Sequence, residues 1–211
     1  MWTFGDGDFL YFIDSTYALY EYDLNNHKAY FIADMEAEIL RRGEVSSIIK
    51  QKTDYFIGFK SSGLIQLKYM PDSKVKYSLQ SINVQSGIFC LMKDRFQDII
   101  WVGADGQGLY MYFTDEFSID NIMLDVPEYR VDNPVRALYQ DQDQTLWIGT
   151  KGGGILKMFD FHPDMETLPR AERILASNSP LMDNSVYSFA PSRRLLLWIG
   201  TESGLIYYSY S

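Results

Sequence analysis

The stretch TLWIGTKGGGILKMF, residues 145–159, sets Lys151 beside three consecutive glycines, Gly152, Gly153 and Gly154. Glycines next to a lysine are the raw material of a phosphate cradle, where backbone N–H groups and an ammonium hold the anion. That cradle needs Gly-x-x-x-x-Gly-Lys-Ser/Thr ahead of a helix. Here the lysine precedes the glycines and a strand-like alternation follows. GADGQG, residues 103–108, fails in the same way. Both read as tight turns between strands.

Other chemistry-bearing residues point the same way. Asp94, Asp141 and Asp143 lie in the acidic turns KDRFQDIIW and QDQDQTLW and are oxygen donors of the kind calcium takes. A calcium loop also needs oxygen ligands at alternating positions and a closing Glu, which are absent. Carboxylates capping their own turns are expected instead. His27 and His162 each lack a nearby Cys or second His, which disfavours zinc. Cys90 is the sole cysteine, so no intrachain disulfide can form; in IFCLM it reads as a small buried core residue. No Gly-x-Ser-x-Gly elbow occurs. A pair of carboxylates brought together across a channel stays open as a route to glycoside cleavage, with no pair singled out. The expectation is no metal, no cofactor and no catalytic residue.

The elements that carry these residues repeat. Trp101, Trp147 and Trp198 open WVGADGQGLYMYF, WIGTKGGGILKMF and WIGTESGLIYYSY. Degenerate copies start at Phe56, FIGFKSSGLIQLKY, and at Phe12, FIDSTYALYEYD. The intervals between the aromatics are 44, 45, 46 and 51 residues, a period that signals a solenoid, a propeller or an array. Upstream of each stands an apolar segment: MWTF at 1, VSSII at 45, IFCLM at 88, VRALY at 135 and VYSFA at 186. Downstream come KAYFI (28–32), VKYSL (75–79), SIDNIML (118–124) and AERILA (171–176). Each repeat therefore reads as four short strands, a to d, with the Trp on strand b. Only 34–42, DMEAEILRR, reads as a helical turn.

Four antiparallel strands per ~45 residues is the pattern of a β-propeller blade. The fold expected is all-β: a single propeller fragment over 1–211, with blades at about 1–33, 43–80, 86–125, 133–177 and 184–211, the last incomplete. The Trp is expected on the face shared with the next blade. The Gly two residues on (58, 103, 149, 200) leaves room for a neighbour, and the second glycine (63, 108, 154, 204) takes a positive φ in the b–c hairpin.

Composition bounds the partners. The 211 residues carry a net charge of -9, which disfavours nucleic acid and anionic membrane surfaces. Aromatics make up 16% of the chain, which favours strands. No apolar run approaches the ~20 residues of a membrane span. The start, MWTFGDGDF, lacks the basic region of a signal peptide. The chain is read either as cytoplasmic or as a piece of a longer exported protein.

Positions that vary inside the fixed frame are the candidate contacts. The second residue of strand a is Trp2, Ser46, Phe89, Arg136 or Tyr187, and the b–c turns carry Tyr17, Ser61, Asp105, Gln107, Lys151 and Glu202. Strands a line the centre of a propeller, and the b–c and d–a loops share one face. Trp2, Phe89, Asp105, Gln107, Arg136, Lys151, Tyr187 and Glu202 are therefore the ligand-binding candidates, suited to an oligosaccharide, through aromatic stacking and planar polar groups, or to another small polar ligand. Ordinary solvated turns are the alternative for each.

The unit V-x-S/A-L-x-x-D-x-x-x-x-L-W-I-G-T-x-x-G-G-L/I resembles the two-component regulator propeller repeat, most clearly at 135–159 and 88–113. SPLMDNSVYSF (179–189) resembles the family's lead-in to strand a. The resemblance weakens in repeat one, where Phe12, Asp14 and Ala18 replace Trp, Gly and Gly. It implies a non-catalytic periplasmic sensor of a hybrid two-component receptor, mostly of gut Bacteroidetes. Its ligand would be an oligosaccharide, and a histidine kinase would lie elsewhere in the parent protein, which would meet the membrane through its other parts. It assigns no ligand residues, because the motif is structural. Seven blades are usual in the family, so five repeats read as a fragment whose exposed last edge invites self-association as a dimer. A protein-interaction scaffold and a glycan-cleaving propeller are the competing readings.

Overall fold

The computed structural model describes residues 2–121, 130–165, 167, 169–192 and 196–210. Met1, residues 122–124 of the expected third strand d, the blade bound at 125 and Ser211 lie outside the described residues. The repeat period becomes five antiparallel sheets, each meandering in chain order. The first holds β1 (Trp2–Asp6), β2 (Phe9–Ile13), β3 (Ala18–Asp23) and β4 (Lys28–Asp34). The second holds β5 (Val45–Gln51), β6 (Asp54–Phe59), β7 (Leu64–Tyr69) and β8 (Tyr77–Ile82). The third holds β9 (Ile88–Lys93), β10 (Ile99–Ala104), β11 (Leu109–Phe113) and β12 (Ser118–Asn121). The fourth holds β13 (Val135–Gln140), β14 (Leu146–Thr150), β15 (Ile155–Met158) and β16 (Ala171–Ile174). The last has three strands, β17 (Val186–Pro191), β18 (Leu196–Thr201) and β19 (Gly204–Ser209). Two compact units divide inside β9, at Met1–Leu91 and Met92–Ser211.

The helical turn expected over 34–42 is α1, Glu36–Arg42. Its first turn is acidic and its last basic, matching the helix dipole. Glu38 pairs with both Arg41 (2.6 Å) and Arg42 (2.7 Å).

Why the sheets stack is clearest in the unit Met92–Ser211. Trp147 on β14 is fully buried against Leu197, Ile199, Ile206 and Tyr208 of the following sheet. Removing an indole of roughly 200 Å² from water at about 25 cal/mol/Å² is worth about 5 kcal/mol, an upper estimate. The Gly two residues on makes the approach possible. A Cβ on Gly149 would stand 2.8 Å from Cγ1 of Val186, the first residue of the next strand a. In the unit Met1–Leu91 a Cβ on Gly58 would stand 2.7 Å from Cγ2 of Ile88. The neighbour is therefore an aliphatic side chain at the head of the next strand a. The hairpin glycines do take positive φ: 76° at Gly63, 82° at Gly108, 70° at Gly154 and 146° at Gly204.

Repeat one departs from its expected alignment. Tyr11, not Phe12, occupies the Trp position. Tyr11 is fully buried, lies edge-on to Tyr55 of the second sheet at 5.8 Å, and pairs with Glu21 as Trp147 pairs with Lys157. Phe12 points to the opposite face, stacked on Tyr20 at 5.1 Å. With Tyr11 in the frame the intervals become 45, 45, 46 and 51. Phe12 misleads because both residues are aromatic and strand alternation puts neighbours on opposite faces. Ile13, rather than Asp14, then stands at the first glycine position. Cys90 is half-buried on β9 rather than fully buried.

Candidate functional site

The acidic turns are structural. Asp94 Oδ1 accepts from the N–H groups of Phe96 and Gln97, both at 2.9 Å. Its Oδ2 accepts from the Trp101 indole (2.8 Å) and from Gln140 Nε2 (2.9 Å). Asp141 repeats the device: Asp143 N–H (3.0 Å) and Thr145 N–H (2.9 Å) donate to Oδ1, and the Trp147 indole (2.9 Å) to Oδ2. One carboxylate thus caps the a–b turn and anchors the buried indole. Turn capping is the role expected from the sequence; the indole contact is not, and its only sequence signal is an Asp seven residues before Trp101 and six before Trp147. Among the described residues no three of His, Cys, Asp and Glu converge to hold a metal ion.

The triple glycine is likewise spent on packing. Gly152 and Gly154 have φ of 87° and 70°. A Cβ on Gly153 would stand 2.6 Å from Asn133 Oδ1. The turn is also stitched to the loops beside it. Lys151 N–H donates to Pro134 O (2.9 Å), and the N–H groups of Gly152 (3.1 Å) and Gly154 (2.8 Å) donate to Asn184 O, just ahead of β17. The next turn repeats the first contact, Glu202 N–H to Ser185 O at 3.0 Å. In the unit Met1–Leu91, Lys60 N–H donates to Glu44 O and Gly63 N–H to Ser86 O, both at 2.9 Å. The b–c and d–a loops therefore share one rim in each unit, held by main-chain bonds that leave the turn side chains free to differ.

Within Met92–Ser211 that rim collects six of the candidates. Asp105, Lys151 and Glu202 are exposed turn residues. Gln107 accepts from the Tyr110 hydroxyl (3.0 Å) and, through its carbonyl, from Asn121 Nδ2 (2.6 Å). Tyr187, 39% exposed, donates to Glu202 Oε2 at 3.4 Å. Beside them Asp183 accepts from Ser185 N–H (2.6 Å) and Ser203 Oγ (2.9 Å), bonds that hold its carboxyl below the usual range.

Arg136 and Tyr187 share a backbone feature. The β13–β14 register slips between Val135 and Ala137, and the β17–β18 register between Val186 and Ser188. The second sheet slips at the same place, between Val45 and Ser47. The second residue of strand a is thus a β-bulge in three repeats, occupied by Ser46, Arg136 and Tyr187. A bulge leaves its residue out of the ladder and re-aims its side chain.

Trp2 and Phe89 belong to the unit Met1–Leu91. Trp2 is not at a bulge: it pairs with Ile13 in regular register and packs against the core around Tyr11 and Tyr55. Phe89 is half-buried on β9. None of the eight candidates lines the larger clefts of Met92–Ser211. One, of about 400 Å³, is bordered by Met111, Met158, Phe161 and His162, and another, of about 790 Å³, by Ile155, Arg173, Leu181 and Tyr208. No described helix is long and apolar enough to cross a membrane.

Comparison with known proteins agrees with this frame. Residues 130–152 match the family model of the two component regulator propeller. No curated protein matches the chain. Among solved structures, the extracellular domain of a proposed hybrid two component system from B. thetaiotaomicron superposes with a TM-score of 0.67 at 22% identity over 99% of this chain. A second such domain from the same organism gives 0.64 at 15% identity over 99%. PorZ, a surface component of the type-IX secretion system of Porphyromonas gingivalis, gives 0.69 at 15% over 98%. The chain spans 27% of the length of each of the two extracellular domains and 31% of PorZ. These likenesses establish the β-propeller fold, and residues 130–152 are similar to the two component regulator propeller repeat.

Proposed function

We propose that the chain is part of the extracytoplasmic input region of a two-component receptor, a non-catalytic segment that senses an oligosaccharide in the periplasm. The observation that carries this reading is the bulged rim. A frame of identical main-chain bonds presents Arg136 and Tyr187 from bulges, with Lys151, Glu202, Asp105 and Gln107 on the turns beside them. Bulges re-aim a side chain and are over-represented next to active sites. A tyrosine ring with a guanidinium and planar amide and carboxylate groups suits the faces and hydroxyls of a sugar. The receptors whose extracellular domains share the fold support a sensory role. Among the described rim residues none stands as a nucleophile with its base, and the carboxylates of Asp183 and Glu202 are engaged in turn and hydroxyl bonds.

Isothermal calorimetry against a panel of neutral and acidic oligosaccharides tests the proposal. Saturable binding without product formation is expected, weakened at least tenfold by Tyr187→Ala or Arg136→Ala and unaffected by Asp143→Asn. Failure of every saccharide to bind, or binding indifferent to both rim substitutions, would overturn it.

A further inference from the structure

Within the unit Met92–Ser211, thioethers and an imidazole border a common cleft. The cleft, of about 400 Å³, is lined by Met111, Met158, Met165 and His162, with Asp120 and Phe161 beside them. Met111 is the cross-strand partner of Trp101, so it shares that face of the third sheet. Phe161, from the loop after β15, meets the Trp101 ring at 5.5 Å, and its carbonyl accepts from Gln97 Nε2 at 2.9 Å. The face of Trp101 and Met111 is therefore the one that meets the fourth sheet. Met158 follows Lys157, the partner of Trp147. Strand alternation turns it away from the Trp147 face and towards the third sheet. The loop that carries Phe161 also brings His162 and Met165 to the mouth of the cleft. Met165 N–H donates to His162 O at 3.1 Å, and His162 N–H donates to Met165 Sδ at 3.4 Å. That turn holds the two residues side by side.

The repeat frame does not call for methionine here. At the position of Met111 the other sheets carry Glu21, Gln66, Lys157 and Tyr207. At the position of Met158 they carry Tyr22, Leu67, Tyr112 and Tyr208. Filling an irregular core is the ordinary use of methionine. It accounts neither for a cleft left beside the thioethers nor for Met165, 37% exposed, paired with an exposed imidazole at the mouth. Thioether sulfur is a soft, uncharged donor that selects Cu(I), and imidazole suits copper as well. Calcium and magnesium take oxygen ligands, and zinc takes thiolate, imidazole and carboxylate. Asp120 lies opposite Met111 on β12 and sets a carboxylate beside the cleft, which favours a cation.

We propose that this cleft binds a soft monovalent cation, Cu(I), through the thioethers of Met111, Met158 and Met165 and the imidazole of His162. Three sulfurs and one nitrogen supply four donors. The unbranched methionine side chain, with its three rotatable bonds, lets Met111 and Met158 bring their sulfurs to the ion from packed strands. The turn at His162 and Met165 supplies the other two donors from the solvent side. None of the rim residues takes part, so the site stands or falls apart from the sensory reading.

Competition for Cu(I) against the chromogenic chelator bathocuproine disulfonate, under anaerobic ascorbate, tests the site on the full chain. Cys90 is a free thiol and a second soft donor, so the wild type and Cys90→Ala are measured side by side. Cys90→Ala is expected to retain a single bound ion per chain. Met111→Leu and Met165→Leu conserve volume and apolarity. Introduced into Cys90→Ala and checked for native circular dichroism, each should weaken binding at least about tenfold, as should His162→Gln. Met165→Leu, on the exposed loop, keeps the test readable should Met111→Leu fail to fold. Met182→Leu, at an exposed methionine outside the cleft, should change nothing. Ag(I), the redox-inert analogue, should shift the His162 ring resonances, and equimolar Zn(II) should not displace it. A Cys90→Ala chain that takes up no Cu(I) overturns the proposal. So does binding that survives Met165→Leu and His162→Gln, binding that Met182→Leu weakens equally, or displacement by Zn(II).

Discussion

Asp141→Ala is the sharpest probe of how the repeat holds itself together. Asp141 is 6% exposed and its carboxylate takes three donors: the Trp147 indole, Thr145 N–H and Asp143 N–H. Trp147 and Thr145 are buried, so two donors lose their partner without access to water. An orphaned buried donor costs about 1–3 kcal/mol. Two of them, with the partly buried third, put the loss at about 4 kcal/mol. Asp141→Asn keeps the shape and one acceptor oxygen, but its amide turns a donor towards either the indole or the turn, for a loss of about 2 kcal/mol. Asp143→Asn, on an exposed neighbour, should stay within about 0.5 kcal/mol. Scanning calorimetry reads the series as a melting-temperature drop of roughly 10–15 °C for Asp141→Ala in the transition of the Met92–Ser211 unit. Equal melting for Asp141→Ala and Asp143→Asn would refute the reasoning, because it would mean that the carboxylate is not the anchor of the indole.

Three further outcomes follow from the same structure. Gly149→Ala places a methyl 2.8 Å from Val186, so it should destabilise by about 1–3 kcal/mol; Val186→Ala in the same chain should recover part of that, a coupling measurable by urea unfolding. Burial raises the phenols of Tyr11, Tyr55 and Tyr210 above their ordinary range, reinforced at Tyr11 by Asp6 and at Tyr55 by its 2.7 Å bond to Glu21. A raised folded pKa means that the folded chain holds protons the unfolded chain releases, so this stability is complete below pH about 10 and is lost as pH climbs above it. A spectrophotometric titration should leave these three of the 16 tyrosines un-ionised until the chain unfolds. Glu21→Gln should destabilise the Met1–Leu91 unit by about 2 kcal/mol, because Lys50, now 2.8 Å from the carboxylate, keeps a charge without its partner; thermal melts of Glu21→Gln and the double variant with Lys50→Met check it, the double variant being the more stable.

The strand segments and the helical turn were legible because a two-residue alternation bounded by glycine and aspartate turns is a local property. Four of the five strand-a segments, VSSII, IFCLM, VRALY and VYSFA, sit at the heads of β5, β9, β13 and β17, and MWTF overlaps β1. Strand d was read less well: VKYSL at 75–79 anticipated β8, which runs Tyr77–Ile82, because an outer strand is exposed and its alternation is weak.

What the sequence determined by itself is the repeat: its period, its four strands and the glycines that let sheets approach, since each is dictated by residue size and alternation along the chain. Tertiary structure alone decided which of two adjacent aromatics, Tyr11 or Phe12, faces the neighbouring sheet, because a one-residue change of frame is invisible in composition yet reverses every side chain. It also decided that Asp94 and Asp141 hold indoles and that Arg136 and Tyr187 stand on bulges. Each of these depends on what a second sheet places opposite a residue, and that is a relation between distant segments rather than a property of either one.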